Sequence, residues 1–335
     1  MDVSTQRRPD PNSDRKGTPP TTRRQDEPSR NRYAVGISAY FGALFLIYGI
    51  HLPYFPVWLD WRGMDAAEIA IITALPFFVR FLASPVIALI ADSRDAHCTT
   101  TIVLSWLALG AALTLTQLSS FWPIAAAALV LSLCKTSVMP MIETLAVSGV
   151  TRFRLDYGRM RLWGSLTFIF ASLAGGALIE SYGSDITIWL IVGACGITAL
   201  AAHSLINPKA MAGAPDYKGP RVTSKETPAT TATPSSVTAA LGLLKKPEFV
   251  ALLVATGAVQ ATHATYYIFG TLHWLSQGID PIEAGLLWGI GVTAEIIVFA
   301  WAAPIIHRIG AEKLLLAGCA AAVLRWSLIA TDPGF

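Results

Sequence analysis

The sequence predicts an all-α polytopic membrane protein: two parallel, pseudo-repeated helical bundles, the second incomplete. Three observations lead there: nine apolar stretches of spanning length, a sorting of basic residues around them, and a motif that recurs after the first and seventh stretch. The stretches fall at about 33–59, 66–91, 99–118, 122–148, 159–181, 186–206, 247–275, 281–307 and 312–331. Each reaches or exceeds the roughly 20 residues that a helix rising about 1.5 Å per residue needs to cross a hydrocarbon core. Continuous apolar runs exclude a membrane β-barrel, whose strands alternate over about ten residues. Of the 25 basic residues, only Arg62, Arg80, Lys135 and Arg325 fall outside the N-terminal tail and the loops on its side. Basic loops stay in the cytoplasm. The N-terminus is therefore expected there, in a plasma (bacterial inner) membrane.

Composition points the same way. Hydrophobic residues make up 53% and charged residues 14%, against roughly 25% charged in a soluble domain. The net charge of +3 sits in loops that face anionic lipid, so the expected partners are the bilayer and a small organic solute, not nucleic acid. Cys134, Cys195 and Cys319 lie in spans and Cys98 in a cytoplasmic loop, so no disulfide framework is expected.

The first element, residues 1–32, is rich in Arg, Asp, Pro, Ser and Thr and reads as a disordered cytoplasmic tail. Tyr33 opens a full-length span rather than the short apolar core of a cleaved signal. Residues 33–206 form an N-terminal bundle of six spans. The Pro/Thr/Ser-rich segment 207–246 is a cytoplasmic linker, whose end from Val237 to Leu244 suits a short helix on the membrane surface. Residues 247–335 supply three spans of a partial C-terminal bundle.

The repeat ties the two parts together. Trp58-Leu59 followed by Gly63-Met64-Asp65-Ala66-Ala67-Glu68 returns as Trp274-Leu275 followed by Gly278-Ile279-Asp280-Pro281-Ile282-Glu283. Both copies stand where an odd-numbered span ends outside and the next begins, so the repeats are parallel. Gly-x-Asp-x-x-Glu is also a turn and helix cap. Carried onward, the offset pairs Arg80 with Glu295 and Asp92 with His307.

Several segments then resemble one family. Ala91-Asp92, with Arg308 and Gly310 in the second half, keeps fragments of the loop signature of the major facilitator superfamily. Leu155-Asp-Tyr-Gly-Arg-Met-Arg-Leu-Trp-Gly-Ser165, Gln260-Ala-Thr-His-Ala-Thr-Tyr-Tyr267, Trp288-Gly-Ile-Gly-Val-Thr-Ala-Glu-Ile296 and Leu324-Arg-Trp326 are similar to its phenylpropionate permease branch, which also resembles nucleoside–proton symporters. The resemblance, from Tyr33 to Phe335, implies a major facilitator fold and a secondary active transporter, monomeric when complete. It implies twelve spans, so a chain stopping after nine is expected to be a fragment or truncated product that does not transport alone.

No Gly-x-x-x-x-Gly-Lys-Ser/Thr loop, His-Glu-x-x-His or Cys-x-x-Cys occurs, so ATP use, metalloprotease chemistry and a metal site have no sequence support. No enzyme activity and no cofactor are expected; the energy source would be the proton gradient. The candidate residues are polar groups at membrane depth. In span seven Thr256, Gln260, His263 and Tyr267 share one face. They suit either interhelical hydrogen bonds or a cavity wall, and the resemblance favours the cavity, which spans one and seven line in this superfamily. Tyr40, Ile47 and His51 share a face of span one. Tyr33, Trp58, Trp61 and Trp274 near span ends suit interface anchors.

Arg80 and Glu295 both sit near the bilayer midplane. Arg80 suits recognition of a substrate carboxylate. Glu295 either faces the cavity or forms a salt bridge with Arg325. Lys135 and Glu143 in span four are about 12 Å apart along the axis, too far for a close pair but within reach of one water-filled cavity. Glu143, after Pro140, is a candidate proton carrier, as is Glu295. Asp92, Arg94, Asp156, Arg159, Arg161 and Arg308 are expected to form a cytoplasmic gate. The expected function is proton-coupled uptake of a small organic solute such as an aromatic carboxylate. The alternatives are a nucleoside or sugar symporter, an efflux carrier, or a non-transporting membrane sensor or scaffold.

Overall fold

A computed structural model describes residues 26–94, 96–207 and 244–331. Among them are nine helices: α1 (Asp26–Trp61), α2 (Ala66–Ser93), α3 (His97–Leu115), α4 (Phe121–Phe153), α5 (Tyr157–Tyr182), α6 (Ile186–Ala202), α7 (Pro247–Ser276), α8 (Pro281–Ile309) and α9 (Ala311–Ala330). They answer to the nine expected spans, and seven of them are long and apolar enough to cross a membrane by that measure alone. The helix α1 begins at Asp26, so residues 26–32, expected in the disordered tail, are helical instead. The rest of the tail and nearly all of the 207–246 linker, including most of the surface helix expected at Val237–Leu244, lie outside the described residues.

Turn chemistry sets the helix ends. Gly63 and Gly278 both take positive φ, at 82° and 88°, where a Cβ would be strained. Each closes a turn in which Met64 N–H reaches Leu59 O at 3.2 Å and Ile279 N–H reaches Trp274 O at 3.0 Å. The next helix starts on related side chains in the two places, with the full capping box in the first copy and one of its two bonds in the second. Asp65 accepts from Glu68 N–H at 2.8 Å while Glu68 accepts from Asp65 N–H at 3.1 Å, a reciprocal capping box. In the second copy Glu283 accepts from Asp280 N–H at 3.3 Å. The sequence repeat is thus a repeat of backbone geometry.

α1 runs through the middle of the first bundle, packing most broadly on α5 and α6. Small residues admit its neighbours: a Cβ on Gly49 would meet Phe168 O at 2.6 Å, and one on Gly36 would meet Ser204 O at 2.6 Å. Backbone groups with no water to bond need partners from within. Pro53 has no N–H for Gly49 O, the acceptor one turn back, and Ser172 Oγ donates there at 3.1 Å. Thr167 Oγ1 donates to Gly42 O at 2.9 Å and Thr198 Oγ1 to Ala43 O at 2.8 Å.

The second half docks on this bundle chiefly through α5 with α8 and α1 with α7; α7, α8 and α9 touch one another less. At the end marked by Gly63, Tyr54 Oη lies 2.7 Å from Ser172 O and 3.0 Å from Pro281 O, joining α1, α5 and α8. The opposite end carries Asp92, Arg154 and the start of α5. Tyr33 and Trp58 correct an expectation. Both are buried, Tyr33 donating to Leu145 O at 2.6 Å, because neighbouring helices cover them. Trp61, 53% exposed, remains free to act as an interface anchor.

Orientation is open to direct measurement. With Arg30→Cys and Ser184→Cys placed singly, a membrane-impermeant maleimide should label residue 184 on intact cells, and residue 30 only after permeabilisation. The reverse pattern inverts the topology.

Candidate functional site

α1, α2, α4 and α7 enclose a cavity of about 290 Å³, at the small end for a ligand site. Helical spacing explains what reaches it. On α1 the contributors Tyr48, His51 and Phe55 follow at intervals of three and four residues; on α2 Thr73, Phe77 and Arg80 do the same; on α4 Ser132, Lys135 and Thr136 share a face. Tyr267 closes the wall from α7. The lining thus combines four aromatic rings, two of them phenolic, three aliphatic hydroxyls, a histidine and two basic side chains, and it contains no carboxylate.

Lys135 is the deepest charge. It is 7% exposed, and its Nζ lies 2.8 Å from His51 Nδ1 and 5.3 Å from the Tyr48 ring centre. Tyr48 donates its hydroxyl to Lys135 O at 3.2 Å, and His51 stacks on Phe55 with centroids 4.5 Å apart. Arg80 stands over Phe77 at 5.4 Å and remains accessible.

The two carboxylates of interest lie outside the lining, and each interacts electrostatically with a lining tyrosine. Glu143, half-buried, acts electrostatically on Tyr48 together with Arg80 and Arg161, and also on Tyr157. Glu295 is exposed and acts on Tyr267, as does Arg325. Glu295 and Arg325 do not form the salt bridge weighed above: among the described residues the ion pair present is His97–Asp92 at 2.8 Å. Arg325 instead lies over Tyr266 at 5.4 Å and Trp326 at 5.2 Å.

The structure therefore brings together four of the expected site residues, His51, Arg80, Lys135 and Tyr267, and leaves others apart. Tyr40 is fully buried, shares a 2.8 Å hydrogen bond with Ser105 of α3 and lies outside this lining. Gln260 is exposed and outside the lining. His263 bonds Val259 O of its own helix at 2.8 Å and sets its ring edge-on to Tyr267 at 6.0 Å, so it touches the site through that tyrosine.

The loop residues have local partners. Asp92 pairs with His97; Asp156 caps α5 by accepting from Arg159 N–H at 3.1 Å. Arg161 lies over Phe45 at 4.1 Å. Arg94, Arg159 and Arg308 are exposed.

Tyr48, Phe55 and Phe77 were not singled out by sequence. They were findable, since each lies three or four residues from His51 or Arg80 on the same helix. A second aromatic group was also missed: Tyr266, Tyr267 and Trp274 gather around Trp288, whose indole N–H donates to Thr271 Oγ1 at 2.9 Å.

Residues 37–333 match the MFS_1 like family. The chain belongs to that family. This MFS_1-like protein is therefore a multi-pass membrane transporter of a small solute and not an enzyme. It is 29% identical over 303 residues to the "Probable 3-phenylpropionic acid transporter" of Escherichia coli (strain K12), covering 88% of this chain and 73% of that protein. It is 26% identical to the maltose permease of Geobacillus stearothermophilus over 88% of this chain and 70% of the permease. Its fold matches the crystal structure of the nucleoside transporter NupG with a TM-score of 0.66 at 14% identity, over 83% of this chain and 68% of that one.

Proposed function

We propose that this MFS_1-like protein couples proton entry to uptake of a small organic solute, an aromatic carboxylate of the 3-phenylpropionate kind. One observation carries the reading: Arg80 stands in an aromatic-walled cavity whose lining has no carboxylate of its own. A guanidinium without a protein counter-ion suits a planar carboxylate, which it can hold through two parallel N–H bonds. The rings of Tyr48, Phe55, Phe77 and Tyr267 offer flat contact to the aromatic end. The 3-phenylpropionic acid transporter among its relatives supports the same substrate class.

Charge supplies the reason for coupling. Drawing an anion into a cell whose interior is negative opposes a potential of about 2.3 kcal/mol per charge per 100 mV, and a co-transported proton offsets it. Glu143 and Glu295, each interacting electrostatically with a lining tyrosine, would be the carboxyl groups that carry that proton. The bundles 33–206 and 247–335 would rock about the cavity, with the 207–246 linker between them. The charged loops holding Asp92, Arg94, Asp156, Arg159, Arg161 and Arg308 would close the cytoplasmic side.

Uptake of labelled 3-phenylpropionate by cells producing the protein tests this, with nucleosides and maltose as competitors. Accumulation should collapse with a protonophore. Glu143→Gln or Glu295→Gln should abolish gradient-driven accumulation while sparing solute exchange. Normal accumulation in both variants, together with indifference to the protonophore, rules out coupling through these carboxylates.

A further inference from the structure

The contact between Lys135 and His51 joins two basic side chains where an ion pair would be the ordinary way to bury a charge. Both residues are more than nine-tenths buried. His51 Nε2 is buried with no hydrogen-bond partner, in a residue that lines the cavity. Around the pair stand Tyr40 and Tyr48 on α1, Arg80 on α2, Cys134 on α4, Cys195 on α6 and Tyr267 on α7. None is a carboxylate, and Glu143 lies two turns along α4.

Hydrogen-bond accounting limits what this pair can hold. An ammonium has only donors, and so has an imidazolium. A 2.8 Å contact between Nζ and Nδ1 needs one donor and one acceptor, so the doubly protonated pair has no bond to make. Two proton counts keep the contact: a singly protonated pair, in which either nitrogen donates to the other, and a neutral pair one proton poorer. We propose that Lys135 and His51 act as one proton-binding unit in the cavity wall, exchanging a single proton that is linked to occupancy of the cavity by an anion.

The linkage follows from placement. In a site of low dielectric, an anion in the same cavity favours the protonated pair, and the protonated pair favours the anion by the same factor. The surroundings hold the geometry ready. Phe55 fixes the imidazole plane by stacking, and the Tyr48 hydroxyl anchors the backbone of Lys135. The pair would then be the proton's station inside the cavity. This inference rests on the proposed anionic substrate only for its linkage.

Nitrogen-15 NMR of the full chain in lipid nanodiscs, labelled at lysine Nζ and at the histidine rings, tests it over a series from about pH 5 to 9. The resonances are assigned with Lys135→Arg and His51→Gln, conservative changes that keep a cation or an acceptor in place. The Lys135 and His51 signals should move together at one midpoint, and replacing either residue should remove or displace the other's step. Adding 3-phenylpropionate should shift that common midpoint to higher pH. Two independent midpoints, or no movement of either signal across the series, overturns the proposal. A shared step that survives in the wild type yet ignores 3-phenylpropionate supports the proton unit and sinks the carboxylate reading instead.

Discussion

Replacing Arg80 with alanine should weaken binding of 3-phenylpropionate by about 10- to 150-fold, the equivalent of losing a charge-assisted hydrogen bond of about 1.5–3 kcal/mol. The protein should still fold. Arg80 is exposed, its contact being with the Phe77 ring, and it is not part of the buried core. Arg80→Lys should recover only part of the loss, because an ammonium cannot present the paired donors of a guanidinium. Binding of the neutral analogue 3-phenylpropanamide should change much less than that of the acid. Equal loss for acid and amide would mean that Arg80 shapes the cavity without recognising charge.

The second large effect is expected where the two halves touch. Gly285→Ala should lower the stability of the purified protein by about 1–3 kcal/mol and impair transport. An added Cβ would collide with the Ser172 carbonyl oxygen and lie 2.7 Å from the Tyr54 hydroxyl. Gly176→Ala should act alike, since its Cβ would collide with the Pro281 carbonyl and also lie 2.7 Å from Tyr54 Oη. In each case the main obstacle is backbone, which cannot rotate away as a side-chain tip does, so α5 and α8 must separate.

Separation would also stretch the Tyr54 bonds to Ser172 O and Pro281 O. Gly291→Ala is the control, because nothing lies within 4 Å of its Cβ position. Thermal unfolding compared across the three variants and the wild type decides the matter. Wild-type melting and transport in Gly285→Ala would show that this approach is dispensable.

Much of the architecture was legible in the chain because its causes are local or nearly so. Spanning length and apolarity follow from composition over about 20 residues. The two Gly-x-Asp-x-x-Glu turns follow from a glycine that takes positive φ and a carboxylate one turn away, and both appear with their backbone bonds in place. The face of α7 that carries Tyr267 and the matching depths of Arg80 and Glu295 in their spans are likewise matters of helical period and position.

Which of those polar groups meet was decided only by packing. Tyr40 and His51 lie on one face of α1 by spacing, yet Ser105 of α3 covers the first and Lys135 of α4 meets the second. Helices cross at an angle, so the neighbour of one face changes along its length, and a one-helix periodicity cannot report that change. The same limit applies to Lys135, for which span four offered only Glu143; its partner came from 84 residues away. It applies again to Glu295 and Arg325, matched in depth yet unpaired, with Arg325 lying over Tyr266 and Trp326 instead. Depth and face are written in the sequence of a single helix, whereas contact depends on how several helices pack together.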